Sequence, residues 1–254
     1  MKSTFARRLK AVLPERLVAR LQSIDHWFNG EPELRLVARL CAADKTAIDI
    51  GANIGTYTCL MRKYARDVVA YEPNQKLAER LSRLYPDVKV RNAAVSDRNG
   101  RVVLAMPVAG DNPRHELASI SQHFDASVNA VHFEVDAVRL DDESLDAIGF
   151  LKIDAEQHER EVLMGALETI RRWRPIIMTE TTPLLYKDGL LAQFRFLTDL
   201  NYTGWFTFMN GLLSFAQFDP AKHANPTRFG TPEFMNPNVF FFPADIDARQ
   251  ILGR

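Results

Sequence analysis

From residue 47 onward, apolar runs of strand length alternate with stretches whose apolar residues recur at helical spacing. The runs at 47–50, 68–71, 88–92, 150–153, 176–179 and 205–208 predict strands. Helical patterns at 57–65, 75–84, 159–172 and 190–200 lie between several of them. Such alternation predicts an α/β domain with a mostly parallel sheet and helices on both faces. A last apolar run at 238–242 is bounded by Pro237 and Pro243. Asn99-Gly100, between Ala94-Val95 and Arg101-Val102-Val103-Leu104, reads as a hairpin turn. With the extended run at 131–140, it predicts a small antiparallel insertion before Phe150. Residues 107–129 and 219–236 show no regular pattern, and loops of that length usually act as lids or mobile insertions.

The first thirty residues stand apart. Phe5, Leu9, Leu13, Leu17, Leu21, Ile24 and Phe28 recur at helical spacing, and Pro14 suits the first turn of a second helix. Six basic residues (Lys2, Arg7, Arg8, Lys10, Arg16, Arg20) face two acids, Glu15 and Asp25. Peripheral membrane contact is one reading of such a helix. Packing on the main domain or on a second copy in a homo-oligomer is the more ordinary use of an apolar stripe. A helix at 33–42 then leads into the first strand. The expected division is a helical extension over 1–44 and a main domain over 45–254.

Composition narrows the classes. The chain has 254 residues, 46% hydrophobic and 25% charged, with a formal charge of zero. No global basic field points to nucleic acid. Cys41 and Cys59 sit in helical patterns and read as reduced core thiols. No apolar run approaches the ~18 residues of a membrane span, and no signal-peptide core of convincing length opens the chain. The expected location is the cytoplasm.

The candidate chemistry gathers where strands end. Ile48-Asp49-Ile50-Gly51-Ala52-Asn53-Ile54-Gly55-Thr56 joins a strand to a helix through a small-residue turn, and the next strand ends in Glu72. Glycines let the backbone approach a ligand, and a helix N-terminus offers free N–H donors. An acid about 20 residues downstream can accept ribose hydroxyls. A dinucleotide turn needs glycine at its first, third and sixth positions, which here are Gly51, Asn53 and Thr56. The missing second and third glycines weaken a dinucleotide oxidoreductase. They favour a ligand with a ribose and an amino-acid tail, namely S-adenosylmethionine. The second centre is Phe150-Leu151-Lys152-Ile153-Asp154-Ala155-Glu156-Gln157-His158-Glu159. Asp154 and Glu180 also close strands, so both should meet Gly51 and Glu72 at the carboxyl rim of the sheet. Asp154 is expected to orient the cofactor's amine or the acceptor, with His158 or Glu180 taking up a proton. Metal ligation by Asp154, Glu156 and His158 is the weaker use of these residues, because no further ligands complete a shell. Glu156 and Glu159 suit the first turn of a helix. His115, Ser119, His123 and His223 fall in the irregular loops and read as solvated.

Many dispersed elements agree with one family. The chain resembles the FkbM methyltransferases at Ile48-Asp49-Ile50-Gly51-Ala52-Asn53-Ile54-Gly55-Thr56-Tyr57-Thr58, Tyr71-Glu72-Pro73 and Asn92-Ala93-Ala94-Val95-Ser96-Asp97 with Gly100. The likeness continues through Leu140-Asp141-Asp142, Leu151-Lys152-Ile153-Asp154-Ala155-Glu156, His158-Glu159, Val162-Leu163, Gly165-Ala166 and Arg174-Pro175, up to Glu180. It implies a Rossmann-like class I methyltransferase fold with a mostly parallel seven-stranded sheet. It also implies S-adenosylmethionine as cofactor and a hydroxyl acceptor on a sugar, glycan or secondary metabolite. Carried over by position, Gly51, Asn53 and Gly55 would line the methionine tail, with Asp49 and Thr58 supporting the turn. Glu72 would take the ribose, and Asn92 and Ala93 would border the adenine. The family usually has glycine where this chain has Gln157. A cofactor-binding protein without catalysis is the alternative from another class.

Overall fold

The structure is a computed structural model. It describes residues 18, 25, 31–109, 112–113, 130–181, 192–209, 211–228, 231, 233–235 and 238–253. The apolar stripe at 5–28, apart from Val18 and Asp25, lies outside the described residues, as do His115, Ser119 and His123.

Among the described residues, twelve strands form two sheets. The large sheet is built from β1 (Thr46–Ile50), β2 (Asp67–Tyr71), β3 (Lys89–Arg91), β8 (Ile148–Ile153), β9 (Ile176–Glu180), β10 (Tyr202–Phe208), β11 (Gly211–Ser214) and β12 (Asn238–Pro243). Its order is β11-β10-β12-β9-β8-β1-β2-β3. Neighbours from β3 through β9 pair in parallel, whereas β12 runs antiparallel to both β9 and β10. From β1 the chain winds outward through β2 and β3; it then returns to lay β8 on the other side of β1. The switch point of the sheet is therefore between β1 and β8, where an α/β sheet leaves a crevice at its strand ends.

The expected seven strands become eight. Gly211–Ser214 folds back on β10 and pairs Trp205 with Ser214 and Phe208 with Gly211. Four residues carry too little periodicity to be read as a strand; the pairing partner makes the strand.

The sheet buries both faces. Along β1 and β2, Ile48, Ile50, Val69 and Tyr71 join one cluster with Val162, Ile170 and Phe194. Ala47, Val68 and Ala70 join the other, with Leu60, Met61 and Leu81. The period-2 alternation of side chains gives each strand to both cores. Leu34, Val37 and Leu40 also enter the second cluster, so the chain packs on the domain from the turn Pro32–Leu36 and the helix Val37–Leu40 onward. Among the described residues no helix is long and apolar enough to cross a membrane.

The insertion differs from the expected hairpin. It comprises β4 (Ala94–Val95), β5 (Gly100–Ala109), β6 (Asn112–Pro113) and β7 (Ala130–Val138), in the order β4-β7-β5-β6. β7 pairs antiparallel with β5 and parallel with β4, so it separates the two strands that were expected to pair with each other. Asn99 serves another purpose: its side chain accepts from the N–H of Arg139 at 2.9 Å and donates to Asp142 Oδ2 at 2.6 Å. β5 also runs on through residues 107–109 of a segment read as irregular.

The helix expected over 159–172 is two helices, Glu159–Met164 and Leu167–Trp173. Asp141 caps the second of them from outside: its carboxylate accepts from the backbone N–H groups of Glu168 (3.2 Å) and Thr169 (2.8 Å).

Candidate functional site

The turn after β1 is held from below. Asp49 is fully buried, and Oδ2 accepts from Thr58 Oγ1 at 2.5 Å. Its Oδ1 accepts no hydrogen bond but lies 3.6 Å from Lys152 Nζ. Gly51 has φ +71°, and a Cβ there would sit 1.9 Å from the carbonyl oxygen of Asp154. Only glycine permits that approach. Asp154 N–H donates to Ile50 O at 3.1 Å, so the loops after β1 and β8 are in backbone contact. Asn53 has φ +50°, and Gly55, at φ +88°, leads into the helix Thr56–Met61.

Glu72, just past β2, is the hub of the far side. Its Oε2 accepts from Asn53 N–H at 2.7 Å and its Oε1 from Asn74 N–H at 2.8 Å. Burial pushes the carboxyl up to about 7, while those two N–H groups pull it down. Each oxygen keeps a lone pair for a further donor. Asn92 Nδ2 donates to the carbonyls of Glu72 and Pro73 at 2.9 and 3.0 Å, tying together the turns that follow β2 and β3.

Between these loops lies a cleft open to solvent. Gly51, Asn53, Glu72, Asp154, Glu156 and His158 form its polar wall; Tyr71, Ala93, Ala94, Val95 and Leu104 form the apolar one. Its polar lining can thus bond charged or hydroxyl groups, and its apolar lining can take a flat ring.

The loop after β8 is held in an unusual backbone. Glu156 and Gln157 have φ +49° and +72°, the left-handed region. Glu159 Oε1 accepts from the N–H groups of Ala155 (3.2 Å) and Gln157 (3.0 Å), locking that shape. Burial lifts the Glu159 carboxyl to about 7. His158 Nε2 lies 2.9 Å from Ser96 Oγ, and burial holds the imidazole below its ordinary value. Lys152, near the end of β8, is buried. Its Nζ donates to Asp154 Oδ2 at 3.2 Å and to Gly51 O at 3.3 Å, and lies 5.0 Å from the Tyr57 ring centroid. Burial works against this ammonium, yet Asp154 and Asp49 outweigh it and hold the group above its ordinary range. Glu180, at the end of β9, hydrogen-bonds Asp154; burial first, then the Asp154 charge, lifts its carboxyl far above the carboxylate range.

The structure therefore brings Gly51, Asn53, Glu72, Ala93, Asp154 and His158 to the cleft wall. Asp49 and Thr58 lie beneath the turn, Asn92 acts as a loop tie, and Glu180 reaches the cleft through Asp154. Tyr71, Val95, Leu104 and Lys152 are additions. A lysine inside an apolar strand was the available signal for Lys152, while Leu104 enters by tertiary packing of the insertion. Among the described residues no group of three or more His, Cys, Asp or Glu is arranged to hold a metal ion. His223 is not solvated as expected: it is buried against Phe206, Phe208 and Phe218, and its Nδ1 accepts from Asp219 N–H at 2.9 Å.

One solved structure shares this fold at a TM-score of 0.50, and others align at lower scores. The methyltransferase FkbM from Methylobacillus flagellatus KT aligns over 79% of the chain with a TM-score of 0.50 and 17% identity. The chain spans only 44% of that protein's length. An rRNA methylase from Streptococcus thermophilus aligns over 82% of the chain and 92% of its own, with a TM-score of 0.43 and 12% identity. A precorrin-6y C5,15-methyltransferase from Geobacter metallireducens GS-15 aligns over 82% of the chain and 83% of its own, with a TM-score of 0.40 and 10% identity. No curated protein sequence matches the chain. The model of the methyltransferase FkbM domain matches residues 49–213, from the buried Asp49 to the added edge strand. That match takes in more than half of the chain and both walls of the cleft, and the protein belongs to the FkbM methyltransferase family.

Proposed function

We propose that this protein transfers a methyl group from S-adenosylmethionine to a hydroxyl oxygen of a sugar, glycan or secondary metabolite. The observation that carries the cofactor reading is Glu72: a buried carboxylate on the cleft wall, held by two backbone N–H groups, with lone pairs left for a pair of hydroxyls. The apolar wall of Ala94, Val95 and Leu104 suits an adenine, and the Gly51–Asn53 turn suits an amino-acid tail. The residues fit the group at both ends.

When bound, S-adenosylmethionine supplies an electrophilic methyl on a sulfonium that departs as a neutral thioether. The protein's own work is alignment and proton handling. Holding the acceptor oxygen in line is worth several kcal/mol of barrier. As the new O–C bond forms, the hydroxyl proton must leave, and Asp154 is the acceptor this site offers. It sits on the cleft wall as an anion paired with Lys152. Glu180 hydrogen-bonds it from behind, and His158 holds the loop to Ser96. The expected cost of Asp154→Asn is ~10²–10⁴-fold in turnover.

Titration calorimetry with S-adenosylmethionine and its demethylated product tests the cofactor. Binding by the wild type and loss of it in Glu72→Ala are expected. An absence of heat with either ligand would end this reading, and with it the alternative of a non-catalytic cofactor-binding protein. Labelled cofactor offered with neutral glycans and with small hydroxylated metabolites then identifies the acceptor. Label transferred only to RNA would overturn the acceptor class.

A further inference from the structure

Lys152 has no counterpart in the roles assigned so far. It is 3% exposed, and its ammonium lies where the two halves of the site meet. It bonds the carbonyl of Gly51 on the cofactor side and the carboxylate of Asp154 on the acceptor side, with Asp49 at 3.6 Å below and the Tyr57 ring to one side. Among the described residues, the carboxylates of Glu31 and Glu156 also act on Glu180, and Glu31 acts on Lys152. Asp154 and Glu180 follow the paired positions Ile153 and Thr179 on adjacent parallel strands, and two carboxyls in such hydrogen-bonding contact share one proton. Which partner keeps it decides whether a base faces the acceptor.

We propose that Lys152 is a positioning residue for the reaction: by pairing with Asp154 it places the negative charge on Asp154, and it leaves the shared proton on Glu180. This rests on the methyltransferase reading of the cleft. The ammonium touches only one of the two carboxyls, which breaks the symmetry of the pair. Asp154, on the cleft wall, then stays available to take the acceptor's hydroxyl proton. Glu180, behind it, donates its proton to Asp154 and keeps that carboxylate aimed.

The test reads the proton directly and needs neither cofactor nor acceptor. Infrared spectra of the whole protein at pH 8, above the titration of Glu72 and Glu159, should show a carboxylic-acid carbonyl band. In the wild type that band is expected to ignore ¹³C-labelling of aspartate and to vanish in Glu180→Gln. In Lys152→Met, at least part of it should shift with the aspartate label, because the proton then divides between the two side chains. A wild-type band that follows the aspartate label would overturn the proposal. So would a Lys152→Met band that still ignores it. Should Lys152→Met not fold, Lys152→Gln keeps a donor to Gly51 and removes the charge, and the same shift is expected there. Because calorimetry reads cofactor binding separately, a failure of the cofactor reading and a failure of the proton assignment give different results.

Discussion

At the scale of single residues, two side chains carry measurable consequences. Glu72 is half-protonated near neutral pH because burial raises it to about 7. On the proposed reading ribose hydroxyls donate to the carboxylate, so the ionised form is the binding form. Affinity for S-adenosylmethionine should therefore fall about tenfold between pH 8 and pH 6, a one-unit loss of ionised fraction, as read by calorimetry at the two values. Gln157 sits at φ +72°, where glycine has no steric penalty. A left-handed residue with a Cβ costs ~1–2 kcal/mol, and glycine returns part of that as chain entropy. Gln157→Gly should gain about 0.5–1 kcal/mol in urea unfolding. The chain thus tolerates glutamine at this position through Glu159, which holds the N–H of Gln157 in place. Gly51, Glu72 and Asp154 were legible because each ends an apolar run, and strand ends converge in a parallel sheet. The bonds of Glu180 to Asp154 and of His158 to Ser96 depend on where other strands lie, which no local pattern carries.

At the scale of elements, most strands of the large sheet follow from apolar runs, but the joints do not. Asn99-Gly100 has the composition of a hairpin turn, and β7 nevertheless intervenes between its flanks. The helical pattern at 159–172 is continuous in sequence, yet it breaks where Gly165 passes Ser96. A Cβ on Gly165 would lie 2.0 Å from the Ser96 carbonyl oxygen. Asp141 then restarts the helix by capping it across the chain. Removing that cap, as in Asp141→Ala, should cost about 1 kcal/mol in chemical denaturation and leave cofactor affinity unchanged. A periodicity argument sees the helix faces; it does not see a carboxylate arriving from 27 and 28 positions away.

At the scale of the whole molecule, the acidic site sets how stability responds to pH. Glu180 is raised to about 9 in the folded chain and is ordinary when unfolded. Below the unfolded value both states hold the proton, and its contribution is complete. As pH rises toward the folded value the unfolded chain binds fewer protons, so stability falls. Between pH 7 and 8 Glu72 and Glu159, raised to about 7, add to the same fall, and Glu180, raised furthest, dominates it. Thermal midpoints of the wild type should therefore drop from pH 7 to pH 8, and Glu180→Gln should flatten that drop. A slope unchanged by the substitution would assign it to other groups.

The contact between Gly51 and the Asp154 carbonyl also bears on how this scaffold could be redirected. The two loops touch through main chain, and no side chain can be trimmed or enlarged at that point without moving both. Libraries aimed at new acceptors would disturb the cofactor pocket if they began at residue 154. Val95 and Leu104 are poor sites as well, since on the proposed reading they border the adenine. Diversity belongs farther out, at Glu156, which lines the cleft and takes no part in the Gly51–Asp154 contact.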